Sequence, residues 1–276
     1  MVSKVITYGI IGGVAVGAIG FGVSHVAGNN KTEKVVTVGI VGTADNDLWK
    51  IAADTAKEKY NITLKTKQFT DYNQPNIALK NGSIDLNAYQ NQVFLRNWNK
   101  ANGHALKLIG RTVFTPLRFY DKNASKVSEV KDGQTIAVPN DATNEGRALQ
   151  LLQSAGLIKI KAGVDLPTLK DIVENKKHLV IKEVAADQTP AAYKSAGAAV
   201  INTNFAKDAK IDLQSAIYVE PVTSTSNKWY IQFAATNKNV NKKLYKEVVK
   251  SFQTAKAEKW LEKTWGDAEQ PAWTLK

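Results

Sequence analysis

Pro139-Asn140-Asp141-Ala142-Thr143-Asn144-Glu145-Gly146-Arg147-Ala148-Leu149 sets a polar turn directly on the start of an apolar helix. The short apolar run Thr135-Ile136-Ala137-Val138 precedes it, and Pro139 stops that run. Thr143 or Asn144 is placed to cap a helix beginning near Glu145. Leu149, Leu152 and Leu157 give this helix an apolar side, and Gly156 supplies a left-handed stop. Free N–H groups and the positive dipole end favour an anion there, and Arg147 adds a planar fork matched to a carboxylate. Two readings stand at this point: a seat for a small anion, or an ordinary capped helix carrying a solvated arginine.

The flanking sequence alternates strands and helices. Upstream, Val35-Val36-Thr37-Val38-Gly39-Ile40 reads as a strand, Leu48, Ile51, Ala52 and Ala56 recur at helical spacing, Ile62 to Phe69 is a second strand, and Pro75 to Leu79 opens a helix ending at Asn81-Gly82. That order predicts a largely parallel sheet, which binds ligands at the carboxyl ends of its strands. The candidate loops are Gly42 to Asp47, Thr70 to Gln74 and Asn87 to Phe94. Leu106 to Ile109, Thr112 to Phe114, Leu117 to Tyr120, Val180 to Val184, Ala198 to Ile201 and Trp229 to Thr236 read as further strands. Short helices are expected at Ser125 to Val130 and Asp165 to Val173, and a helical tail from Asn241 to Trp265. The economical architecture is α/β, two lobes joined by crossing strands.

Composition narrows the function classes. The chain has 276 residues, of which 43% are hydrophobic and 22% charged, which excludes wholesale disorder and allows two lobes. Its formal charge is +12, yet the lysines are scattered as pairs such as Lys57/Lys59, Lys159/Lys161 and Lys242/Lys243. They read as solvated faces, and no nucleic-acid partner is expected. The absence of cysteine excludes disulfides, thiol nucleophiles, thiolate metal sites and a lipid-bearing cysteine. The three histidines, His25, His104 and His178, stand in linker or turn contexts without a nucleophile motif or phosphate loop. No catalytic residue, metal or cofactor is therefore expected, and the chain reads as a non-enzyme.

At the N-terminus, Val5 to Val23 runs nineteen residues without a charge, after Lys4. This is about the minimum for a membrane span and long for a cleaved signal core. The favoured reading is an uncleaved signal anchor holding the rest outside the cell, with a cleaved signal peptide as the rival. The expected organisation is a signal segment over 1–28, a linker over 29–34, lobe I from 35–115 and 220–276, and lobe II from 116–219.

Asp71-Tyr72-Asn73-Gln74-Pro75-Asn76-Ile77-Ala78-Leu79, Gly82-Ser83-Ile84-Asp85-Leu86-Asn87, the Pro139-to-Leu149 stretch, Asp171-Ile172-Val173-Glu174-Asn175 and Ala199-Val200-Ile201-Asn202-Thr203 together resemble the NlpA-type methionine-binding lipoproteins, substrate-binding components of ABC importers. The resemblance runs in order from about Val35 to Trp273. It implies a two-lobed periplasmic-binding-protein fold of type II-like build, which closes over methionine, a related amino acid or a methionine dipeptide and delivers it to an ABC permease and its ATPase. It also implies an extracytoplasmic location at the membrane face, or secretion. Arg147 would match the arginine that grips the ligand carboxylate, and Asn202 the asparagine that holds the amino-acid backbone. Asn144 belongs to the same turn. Tyr72, Tyr89 and Phe94 would match aromatic walls, and Gln232 falls where the family has an asparagine. The chain departs from the family at Asn91, where a histidine is usual, at Phe94, where a tyrosine is common, and in the Thr43-to-Trp49 loop. The alternative of another class is a surface-associated, adhesin-like protein that uses the positive charge.

Overall fold

The computed structural model describes residues 34–275. The signal reading of 1–28 and the linker up to residue 33 lie outside the described residues. Among the described residues, no helix is long and apolar enough to cross a membrane.

Valine-rich alternation starts the fold. β1 (Lys34–Val41) carries Val36, Val38 and Ile40 into the interior and is followed by α1 (Asn46–Tyr60), β2 (Ile62–Phe69), α2 (Gln74–Lys80), β3 (Leu86–Gln90), α3 (Gln92–Asn102), β4 (Leu106–Arg111) and the two-residue β5 (Val113–Phe114). Next come β6 (Arg118–Asp121), β7 (Thr135–Pro139), α4 (Ala142–Ser154), β8 (Lys159–Ile160), β9 (Ile172–Glu174), β10 (Val180–Val184), α5 (Thr189–Ala196), β11 (Ala198–Ile201), α6 (Thr203–Asp208) and β12 (Ala216–Val219). β13 (Gln232–Thr236), α7 (Lys243–Phe252), α8 (Ala255–Thr264) and β14 (Gln270–Pro271) complete it.

Two five-stranded sheets result, ordered β2-β1-β3-β13-β4 and β10-β7-β11-β6-β12. Each is parallel except for one strand, β13 in the first and β6 in the second, which runs antiparallel to its neighbours. The chain leaves the first sheet after β4 and returns to it at β13, so two segments cross between the lobes. A separate core supports each sheet. In the first, Leu48, Trp49, Ala52 and Ala56 of α1 pack with Tyr245, Val248 and Phe252 of α7, and the Trp49 and Phe252 rings lie 4.9 Å apart. In the second, Ala148, Leu149 and Leu152 of α4 pack on Phe119, Ile136, Val138 and Val200.

Several local expectations are corrected. α4 begins at Ala142, three residues early, because the Asp141 carboxylate, and neither Thr143 nor Asn144, caps it by accepting from Asn144 N at 3.0 Å. Gly156 does take the left-handed backbone, with φ +77°. The helix expected over Asp165 to Val173 is only the single 3₁₀ turn Leu169–Asp171. Asp171 Oδ2 there accepts from both Thr168 N and Thr168 Oγ1, and the chain then passes into β9. The Ser125-to-Val130 helix is likewise a 3₁₀ turn, Val127–Glu129. The strand expected from Trp229 starts at Gln232, after the 3₁₀ turn Ser226–Trp229. The tail is two helices, broken where Thr254 caps the second through Ala257 N.

Candidate functional site

The loops leaving β1, β2, β3, β7 and β11 at their carboxyl ends meet between the sheets around one cavity. About 940 Å³ of atom-free space, open solvent at its mouth included, lies inside it. Tyr72, Tyr89, Asn91, Phe94, Asn144, Arg147 and Asn202, all expected at the site, line it. Gln232 does not. Ile231 lines the cavity in its place, and successive residues of extended chain turn to opposite sides, so a one-residue offset carries the Gln232 amide away.

Arg147 is buried at 3% exposure, contrary to a solvated arginine. Nε donates to Glu220 Oε1 at 2.8 Å and Nη2 to Glu220 Oε2, while Nη2 also donates to the Thr115 carbonyl at 3.1 Å. The guanidinium lies 4.8 Å from the centre of the Trp229 ring. Among the described residues, no hydrogen bond falls on the two donors of Nη1. Glu220, on the segment returning to β13, therefore orients Arg147. No local sequence signal pairs residues 147 and 220.

A chain of amides stands beside Arg147. Asn144 Nδ2 donates to both oxygens of Asp141, and Asn144 Oδ1 accepts from Asn202 Nδ2 at 2.9 Å. This fixes the orientation of Asn202, whose Oδ1 is buried without a partner, as is Asn204 Nδ2. A buried, unpaired acceptor costs about 1–3 kcal/mol, so a ligand donor placed on it gains that much. Burial raises the Asp141 carboxyl above its usual range against the lowering effect of its bonds from Asn144.

Aromatic rings form the apolar wall. Tyr72, Tyr89 and Phe94 stand 5.7–6.1 Å apart in a mutually tilted trio, with Phe205 4.9 Å from Tyr72. Tyr72 Oη donates to Asn204 Oδ1 at 2.6 Å and Tyr89 Oη to the Tyr72 carbonyl. Burial first, and then the Asp141 charge, push both phenols well above their ordinary pKa, so both stay neutral donors. Asn91 lines the cavity and also caps α3, its Oδ1 accepting from Phe94 N at 2.9 Å. Beneath this wall Asn76, Asn87 and Gln90, all buried, exchange four side-chain hydrogen bonds and fix β3 to α2.

Sequence reasoning missed the ionic corner of the cavity. Lys207 Nζ bonds both oxygens of Asp45, at 2.6 and 2.7 Å, and Glu269 Oε2. Trp265 Nε1 donates to Asp45 Oδ1 at 3.0 Å. Burial alone would lower the Lys207 pKa, but Glu269 and Asp45 outweigh it and raise it. Burial and the Asp45 charge together push Glu269 up to about 7.

Two sheets, crossing segments and an enclosed polar-aromatic cleft define a two-lobed substrate-binding protein. The family model for the NlpA lipoproteins matches residues 36–273, and the chain belongs to that family. It is 39% identical over 248 residues to the D-methionine-binding lipoprotein MetQ of Salmonella typhimurium, covering 87% of this chain and 90% of the relative. Among solved structures it resembles the substrate-binding protein of a methionine transporter from Streptococcus pneumoniae, with TM-score 0.80 and 38% identity over 86% of this chain and 95% of that one. It also resembles a nutrient-binding protein from Burkholderia cenocepacia bound to methionine, with TM-score 0.81 and 35% identity over 86% and 99%.

Proposed function

We propose that the cleft binds a free amino acid, methionine or a close relative of it, and that the protein delivers this ligand to the permease of an ABC importer on the extracytoplasmic side of the membrane. The observation that carries the reading is the pairing of opposite needs in one cavity. Arg147 Nη1 offers two charged donors to a carboxylate, and the partnerless Asn202 Oδ1 offers an acceptor to an ammonium. The Tyr72, Tyr89 and Phe94 rings suit an unbranched apolar side chain, and sulfur against an aromatic edge adds about 0.3–1.5 kcal/mol. Relatives bearing methionine-binding names support the same ligand. Binding and release, without chemistry, are the whole task of the site. Attachment to the membrane through the N-terminal segment is part of this reading.

Calorimetric titration of the purified protein with L- and D-methionine, the other free amino acids and short methionine peptides tests it. One free amino acid is expected to bind at a single site. At a hundred times its dissociation constant it should add about 2.7 kcal/mol of stability. Binding confined to peptides would move the substrate class to dipeptides, and no binding to any of them would remove the reading.

A further inference from the structure

Helix α6 presents one face to the other lobe. Asn204, Lys207 and Asp208 stand at i, i+3 and i+4, the spacing of a single helix side, and Phe205 flanks Asn204. Every one of them meets a residue held by the first sheet's lobe. Asn204 and Phe205 meet Tyr72, and Lys207 meets Asp45, at the start of α1, and Glu269, beside β14. The Asp208 carboxylate accepts from Thr43 N at 2.9 Å, Thr43 Oγ1 at 3.0 Å and Ala44 N at 3.0 Å. Gly42 permits that approach, since its φ is +91° and a Cβ there would stand 2.4 Å from Asp208 Oδ2. The Lys207 side chain is 1% exposed, that of Glu269 2% and that of Asp45 23%. All these bonds run directly from one lobe to the other across the cleft.

We propose that Lys207 and Asp208 are positioning residues that form a ligand-independent latch, setting how often the cleft closes and hence the affinity of whatever it holds. When the lobes part, Lys207, Asp45 and Glu269 separate into water and each recovers its hydration. When they close, the ammonium satisfies the Asp45 carboxylate and, once it is ionised, that of Glu269, both of which burial would otherwise penalise, so the closed state requires Lys207. Asp208 adds bonds at a more exposed position, where each is worth less. A residue that acts only on closure changes the closed population, and the apparent dissociation constant scales inversely with that population for every ligand alike. A residue that touches the ligand changes different ligands by different factors.

The test uses the absence of cysteine in the chain. Cysteines placed at the exposed Lys59 of α1 and Lys182 of β10 carry spin labels, and the distance between the lobes is read in the protein without added ligand. Lys207→Gln and Asp208→Asn are expected to lengthen that distance while thermal unfolding remains cooperative. Affinity for every ligand the site accepts should fall by one common factor, roughly thirtyfold or more for Lys207→Gln and about three- to tenfold for Asp208→Asn. An unchanged distance in both variants overturns the latch. So do factors that differ between ligands, which would make these residues ligand contacts. The affinity arm rests on the amino-acid reading. The distance arm does not, so failure of the ligand assignment leaves the latch separately decided.

Discussion

Replacing Arg147 with alanine removes the bonds from Nε and Nη2 to Glu220 and from Nη2 to the Thr115 carbonyl, and leaves the Glu220 side chain, 13% exposed, holding only Leu117 N at 3.1 Å. Breaking a buried ion pair from one side costs about 3–5 kcal/mol, and the partial exposure of Glu220 places the loss near the lower end. The same change removes the donors proposed for the ligand carboxylate. Losing one partner of a buried charge pair costs about 2–5 kcal/mol, or roughly thirtyfold and more in affinity. A second substitution separates the two effects. Arg147→Ala with Glu220→Gln no longer buries an unpaired charge, so urea denaturation should recover most of the lost stability while calorimetry still shows no recovery of binding. Near wild-type affinity in the double variant would refute the ligand role of Arg147 and reduce it to a structural ion pair.

Three further outcomes follow from other parts of the site. Asn91→Ala should lose about 0.5–2 kcal/mol of stability in thermal melts, because it removes the cap of α3, and should weaken binding as Phe94 loses its anchor. Thr254→Ala should cost stability by a similar amount in the same assay and weaken binding less than Asn91→Ala does, since Thr254 caps α8 and does not itself line the cavity, although Phe252 two residues before it does. Glu269 keeps its proton up to about pH 7 in the native state, whereas the unfolded chain releases it near the ordinary glutamate value of about 4.3. Its contribution is therefore fully present below the unfolded value and lost as pH rises through about 7, at up to about 1.36 kcal/mol per pH unit. Wild type should accordingly lose stability relative to Glu269→Gln between pH 5 and pH 8, and parallel pH profiles from urea denaturation would contradict this.

The parts of the fold legible in the sequence were those governed by local periodicity. Val180 to Val184, Ala198 to Ile201 and Ile62 to Phe69 form strands over the residues expected; the apolar run Ala198 to Ile201 is buried throughout and Ile62 and Leu64 turn inward, whereas Val180 to Val184 lies at a sheet edge with Val180 exposed and is held by its pairing with β7. The loop expected over Asn87 to Phe94 is instead most of β3 and the first turn of α3, and α3 gives no clear periodicity because Gln92-Val93-Phe94-Leu95-Arg96-Asn97 mixes polar residues among few buried ones, Val93 and Leu95. The boundary of α4 differs from the expected one because Asn140, Asp141, Thr143 and Asn144 are all capping residue types within five positions, and the structure uses Asp141. Within the site, Arg147, Asn202 and the aromatic trio were readable through family resemblance and residue chemistry. Glu220, Asp45, Lys207 and Glu269 were not, because their partners lie far away in sequence and only the crossing topology brings them together. Gln232 shows the limit of position-by-position transfer: a residue beside the cavity in sequence belongs to the other side of its strand.

A crystal structure of the protein grown with methionine decides whether Arg147 and Asn202 hold the ligand. The α-carboxylate is expected within hydrogen-bond distance of Arg147 Nη1, the α-ammonium on Asn202 Oδ1 and the thioether among Tyr72, Tyr89 and Phe94. A carboxylate bound at the Lys207 corner with Arg147 Nη1 uncontacted, or a ligand reversed end for end, would contradict that placement.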